Sequence, residues 1–299
     1  MILNSINDCC YYFQGAVNIG YVRSGENGLL IDAGIDKATI KKVLKLLKEN
    51  ELPVTHLFIT HAHADHYGGA AYLQKTENIY TFAPAIESAI LRNPILEPLY
   101  LFQGNMPLPE MRNKFLEGEP IDVDEEVAEG YLMFGEKEIK CIALPGHSIN
   151  QFGLIIDEVL YAADAYFSEE QLHKHKIPFI IDAKSTLKTL KLIKRMNCVG
   201  ALPGHGQYET SFQETVEANI TYHLEILDSI QSMIDERKEE GISHENLVSL
   251  VCEKWSVELK NISMWMLFRT AITSYATYLV AEGKIELFLS DNKLRIKSK

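Results

Sequence analysis

The stretch FITHAHADHYGG, Phe58 to Gly69, sets three histidines and an aspartate within six positions, directly behind an apolar run. Each of those side chains loses hydration when buried and none fills a core, so either something repays the loss or the loop lies in solvent. The rest of the chain decides between these. Short apolar runs ending in small or turn residues recur through the first two thirds: GLLIDAG (28–34), THLFIT (55–60), IKCIALPGHS (139–148), EVLYAADA (158–165) and CVGALPGHG (198–206). Each reads as a buried strand that delivers a loop at its C-terminal end. Helical patterns lie between them: Ile40, Val43, Leu44 and Leu47 recur at helix spacing in 36–50, and Leu187, Leu190 and Ile193 in 183–196. The expected class is α/β, with sheets covered by helices.

The other strand-end loops also carry ligand-type side chains. PGHS presents His147, AADA presents Asp164 and PGHG presents His205, each beside glycine, proline or alanine at the turn. Five of the ten histidines fall in these loops. Imidazole and carboxylate suit borderline divalent metals, zinc above all, and a catalytic site leaves one position for water. His61, His63 and His147 make one open site, Asp65, His66 and His205 make a second, and Asp164 can offer one carboxylate oxygen to each. Two metals roughly 3.5 to 4 Å apart hold a hydroxide between them, so no serine or cysteine nucleophile is needed. His56, His173, His175, His223 and His244 read as bystanders.

With these residues in place the sequence resembles the metallo-β-lactamase superfamily, from about Asp32 to His205. LLIDAG matches the family's first motif, THAHADH the second, and PGHS, AADA and PGHG the third to fifth, in order. The resemblance implies an αββα metallo-β-lactamase sandwich with the metals at the sheet edges. It also implies that Asp32 supports the second-motif loop without ligating. The catalytic domain is expected over 1–210, with a proline-rich insertion at about 84–126 that either walls the pocket or packs as a surface excursion. Within it Phe102, Met106, Met111 and Phe115 read as the insertion's own small core or as a pocket wall.

From Ser211 the pattern turns helical. Ile220, Leu224, Leu227, Ile230, Met233 and Ile234 share one face of a helix that Gly241 should stop, Ser243 caps a second, and a third runs to about Ala281. Two alternating strands joined at Asp291 and Asn292 close the chain, so 211–299 is expected to form a mostly helical, winged-helix-like domain that closes the pocket or makes a homodimer.

Composition narrows the function. The formal charge is −12, and acidic residues outnumber basic ones 14 to 10 from Ser211 onward, which disfavours nucleic acid and anionic lipid as partners. The five cysteines are odd in number and show no CxxC spacing, and no signal peptide or membrane-spanning run is visible, so a cytoplasmic protein is expected. The pairing of Asp65-His66 with Asp164 points to the glyoxalase II, lactonase and RNase-type branches of the family. The expectation is a metal-dependent hydrolase with two divalent ions, zinc first and iron or manganese as alternatives. Its small-molecule substrate is an ester, thioester or lactone, with Asp65 as proton acceptor. By resemblance to lactonases, Tyr166 is a candidate oxyanion donor. An RNA- or phosphodiester-cleaving nuclease and a mononuclear iron persulfide dioxygenase remain as alternatives.

Overall fold

The computed structural model describes residues 1–237 and 240–299. Seven strands form the first sheet in chain order: β1 (Ile2–Ser5), β2 (Cys10–Gln14), β3 (Ile19–Ser24), β4 (Asn27–Ile31), β5 (His56–Phe58), β6 (Tyr80–Pro84) and β7 (Glu125–Val127). The first four pair antiparallel, and β4 to β7 run parallel. Parallel neighbours need crossovers. These are α1 (Lys37–Glu49) between β4 and β5, the short α2 (Ala64–Tyr67) with α3 (Ala70–Thr76) between β5 and β6, and α4 (Ala85–Arg92) with α5 (Leu96–Leu101) between β6 and β7. The second sheet holds β8 (Gly130–Phe134), β9 (Lys137–Ala143), β10 (Phe152–Ile156), β11 (Val159–Ala163) and β12 (Gly200–Pro203) in the order β12-β11-β10-β9-β8. Its one parallel pair, β11 with β12, is joined through α6 (Glu169–His175) and α7 (Ala183–Lys194).

Period-two alternation stacks the layers. Leu29, Ile31 and Phe58 point between the sheets and meet Ile139, Cys141, Leu154 and Tyr161 of the second sheet. Leu30, Leu57 and Ile59 point the other way, onto Ile40, Val43 and Leu47 of α1. Ile142, Leu144, Leu160 and Ala162 leave the second sheet on its outer face for Leu187, Leu190 and Ile193 of α7. The result is helix, sheet, sheet, helix, as the family resemblance implies.

The C-terminal region contains α8 (Phe212–Asp235), β13 (Ile242–Ser243), α9 (His244–Lys254), α10 (Ile262–Ala281), β14 (Ile285–Ser290) and β15 (Lys293–Ser298). The expected hairpin gains a third strand, in the order β13-β15-β14. Ser243 caps α9, its hydroxyl accepting the Asn246 N–H at 3.3 Å. Three expectations are corrected. Helix α8 ends at Asp235, before Gly241, which instead turns at φ +59 into β13; the intervening Lys238 and Glu239 lie outside the described residues. Leu224 is 44% exposed, because it lies off the face of α8 that packs against the neighbouring helices. The segment expected as an insertion at about 84–126 runs at its far end into β7, which pairs with β6 as the edge of the first sheet.

Candidate metal centre

All the ligand-type loops leave the sheets at the same end. Beyond β5, His61 and His66 are fully buried, and the short helix α2 turns Asp65 and His66 back over the sheet. That turn needs glycine. A Cβ on Gly68 would lie 2.1 Å from the Ile35 carbonyl oxygen, and one on Gly69 2.4 Å from that of Ala33. Strand β4 delivers Asp32 at φ +68 and β11 ends on Ala163 at φ +48, left-handed backbone that only surrounding contacts can hold.

The side chains converge as three groups whose ligand atoms lie within 4.8 Å of one another: His61, His63 and His147; His61, His66 and Asp164; Asp65, His66 and His205. Asp164 sits between them. Its Oδ1 is 3.3 Å from His66 Nε2, and its Oδ2 is 3.4 Å from both His147 Nε2 and His205 Nε2. His63 Nδ1 comes within 2.8 Å of His147 Nε2, and His205 Nε2 within 3.5 Å of Asp65 Oδ2. The structure therefore brings together all seven residues expected as ligands.

The far ring nitrogens fix the tautomers. His66 donates Nδ1–H to Asp32 Oδ2 (2.7 Å), His147 to the Phe179 carbonyl (2.8 Å) and His205 to the Ala16 carbonyl (2.8 Å). Asp32 also accepts the Thr60 N–H at 2.8 Å and the Thr60 hydroxyl at 2.9 Å, so that hydroxyl oxygen is left to accept His61 Nδ1–H at 3.0 Å. In the neutral form each of these imidazoles then turns its Nε2 lone pair to the centre. His61 Nε2, His66 Nε2 and Asp164 Oδ1 are buried there with no hydrogen-bond partner. Orphaned buried atoms of this kind on nitrogen and carboxylate donors fit divalent cations.

The electrostatics divide the centre. Burial, reinforced by the neighbouring imidazoles, holds His61 well below its usual pKa and His63 at about 3, and burial lowers His147. Lowered values favour the neutral form that ligation requires. Burial also opposes charge on His66 and His205, but Asp164 and the other carboxylates outweigh it, lifting His66 well above its usual value and His205 to about 10. Against its own burial, Asp65 is held at about 2 by His66 and His205.

Two findings depart from the sequence reading. Tyr166 is 1% exposed and packs in the apolar cluster between the second sheet and α8, its hydroxyl beside Glu209. Burial pushes the phenol's pKa well above its usual range. Two residues beyond Asp164 the chain has already turned inward, so the expected oxyanion donor is a core residue. Glu87, on α4, was not foreseen. It is 1% exposed and bonds to the loops around His63 and His147, and its one sequence signal is a carboxylate four residues before Leu91 on the buried face of α4. Phe179, equally unforeseen, sets its ring edge-on to His63 (5.5 Å) and His147 (5.7 Å). Among the bystander histidines, His223 bonds to the Tyr275 hydroxyl, His244 to Thr273, and His56 lies against Phe82 and Phe134.

Comparison with known proteins agrees with this geometry. The chain is 27% identical over 154 residues to a hydroxyacylglutathione hydrolase of Vibrio campbellii, covering 51% of this chain and 49% of that protein. It is 20% identical over 277 residues to an atrochrysone carboxyl ACP thioesterase of Pseudocercospora fijiensis, covering 92% and 72%. The first curated matches are covered over only 49% to 61% of their own length. A crystal structure of a beta-lactamase domain protein from Burkholderia ambifaria superposes with a TM-score of 0.72 at 16% identity, covering 99% of this chain and 93% of that one. The sequence profile of the metallo-beta-lactamase superfamily matches residues 12–217, the span that supplies both sheets from β2 onward and all seven converging side chains, and the chain belongs to that superfamily.

Proposed function

We propose that the protein is a dinuclear metal hydrolase, zinc-dependent by its donor set, acting on a thioester, ester or lactone carbonyl. The observation that carries this reading is the Asp164 carboxylate, which reaches His66, His147 and His205 at 3.3 to 3.4 Å and so lies between two open ligand triads. Two bound cations would supply carbonyl polarisation and an activated water. The chain's own residues do the rest. Asp32 and Thr60 hold His61 and His66 in the ligating tautomer. Phe179 closes one side of the His63 and His147 rings against water. The Asp65 side chain is 32% exposed, so after accepting the nucleophile's proton it can pass that proton to the leaving group or to solvent. The relatives named as a hydroxyacylglutathione hydrolase and an ACP thioesterase support a thioester first. Among the described residues no helix is long and apolar enough to cross a membrane. The five cysteines are unpaired, which supports a reducing, cytoplasmic setting.

The test is metal analysis of protein purified without added metal, beside thioester, lactone and bis-p-nitrophenyl phosphate substrates. About two zinc per chain with carbonyl turnover is expected. Selective phosphodiester turnover, or a single iron with no hydrolysis, overturns the reading. Asp65→Asn, compared with wild type at matched metal content, is expected to lose most of its turnover; fast hydrolysis at full metal content removes Asp65 from the proton path.

A further inference from the structure

Three donors meet on one interior carboxylate that the proposed chemistry does not use. Glu87 Oε2 accepts the Ala62 N–H at 2.9 Å, and Oε1 accepts the Ser148 hydroxyl at 2.7 Å and the Asn150 N–H at 2.9 Å. Asn150 answers through its own side chain, whose Oδ1 accepts the Ile86 N–H at 3.3 Å. Ala62 lies between His61 and His63, and Ser148 follows His147. These loops come from different sheets, the first after β5 and the second after β9. One side chain on α4 therefore bridges the two halves of the sandwich at the point where each delivers its histidines.

The bridge lies closest to one triad. Ala62 stands between His61 and His63, and Ser148 beside His147, whereas Asp65 and His66 follow on α2. The Asp65, His66 and His205 triad is held by other groups: His66 by Asp32, and His205 by the Ala16 carbonyl. The loop of His205 is tied down by Asn18, whose amide donates to the Pro203 and Gly206 carbonyls at 2.9 and 3.0 Å. We propose that Glu87 is a positioning residue that assembles His61, His63 and His147 into one cation site, and that it acts on that site and not on its neighbour. The inference rests on the dinuclear reading above.

Glu87→Gln separates position from packing. It keeps the volume and one acceptor oxygen, but it sets an N–H against the backbone donor of Ala62 or of Asn150, which breaks one side of the bridge. The experiment titrates cobalt(II) into metal-free wild type and variant, following the visible spectrum of the bound ion and competing it against a chelator. In the variant one ion is expected to weaken by about 10- to 100-fold, the range seen when groups supporting metal ligands are removed. The second ion should keep its affinity and its spectrum. Ser148→Ala removes a single donor and should weaken the same ion by less; it carries the test if Glu87→Gln does not fold. Equal weakening of both ions would mean a general structural role and overturns the proposal, as does no change in either. A wild type that takes one ion overturns the dinuclear reading alone, and Glu87 is then judged by whether that ion weakens in the variant. A wild type that takes none overturns both.

Discussion

At Gly204, next to His205, the centre leaves no room for one more carbon. A Cβ there would lie 2.0 Å from Asp164 Oδ1 and 3.0 Å from His66 Cε1. Gly204→Ala must therefore push the bridging carboxylate or the ring away. Because displacements near 1 Å cost about 100-fold in rate, turnover should fall by about that factor while the circular dichroism spectrum stays that of wild type; unchanged turnover would place Asp164 outside the chemistry. His223 tests burial instead of catalysis. Desolvation holds its pKa at about 4 in the fold. An unfolded histidine titrates near about 6.5, so between these values the unfolded chain binds a proton that the fold refuses. Stability is undiminished above that range, falls as the pH drops through it, and levels off below, with a loss of at most about 3 kcal/mol. His223→Gln cannot titrate and can still bond to the Tyr275 hydroxyl, so its urea midpoint should fall less over this window than that of wild type.

At the scale of elements, the loop after β11 is held by a helix far from it in sequence. The Asn219 side chain on α8 is fully buried; its Oδ1 accepts the Phe167 N–H at 2.9 Å and its Nδ2 donates to the Phe167 carbonyl at 2.7 Å, as a neighbouring strand would. Asn219→Ala leaves two buried backbone groups unpaired, at a cost of about 1 to 3 kcal/mol each. Asn219→Asp should be worse, since it keeps no donor for the Phe167 carbonyl and buries a charge. Thermal melts of the two variants check the order, and an aspartate variant as stable as wild type would refute it. The same reasoning explains which elements were legible. Strands β4, β5, β9, β11 and β12 and helices α1 and α7 carry strong apolar periodicity and stand close to where that periodicity puts them. Strands β1 to β3, β6 to β8 and β10 lie outside those apolar runs; β1 and β7 are short and largely exposed, and their partners, not their patterns, make them strands.

For the whole molecule, the boundary near residue 210 is crossed by a single apolar core. Ile142, Leu144 and Leu160 of the second sheet and Leu187 and Leu190 of α7 belong to the same cluster as Phe212, Val216, Leu227, Ile272 and Leu279. The insertion joins the C-terminal helices too, with Leu101, Met111 and Leu116 packed against Met266 of α10. A chain ending at residue 210 would expose the outer face of the second sheet and the back of α7, at about 1.5 to 3 kcal/mol for each large side chain uncovered. It should be insoluble or lack a cooperative thermal transition; a soluble, cooperatively folding 1–210 fragment would show that the sandwich stands alone. Because α10 also packs against the insertion, the C-terminal helices support the insertion as well as the core.

The sequence by itself determined the α/β class and placed the seven converging side chains, because strand periodicity and a turn after each strand are local properties and those residues sit in the turns; the αββα sandwich rested on the resemblance of its motifs to a known family. It also placed Asp32, through the motif that ends β4. Only the tertiary structure decided what holds the centre and what stands back from it. The direction in which Tyr166 points depends on the left-handed step at Ala163 and on the α8 side chains that bury it. The task of Glu87 depends on two loops from opposite sheets reaching one helix. The proton positions on His61, His66, His147 and His205 depend on partners between one and 189 positions away. Contacts at that range leave no period in a sequence, so they become visible only when the layers close.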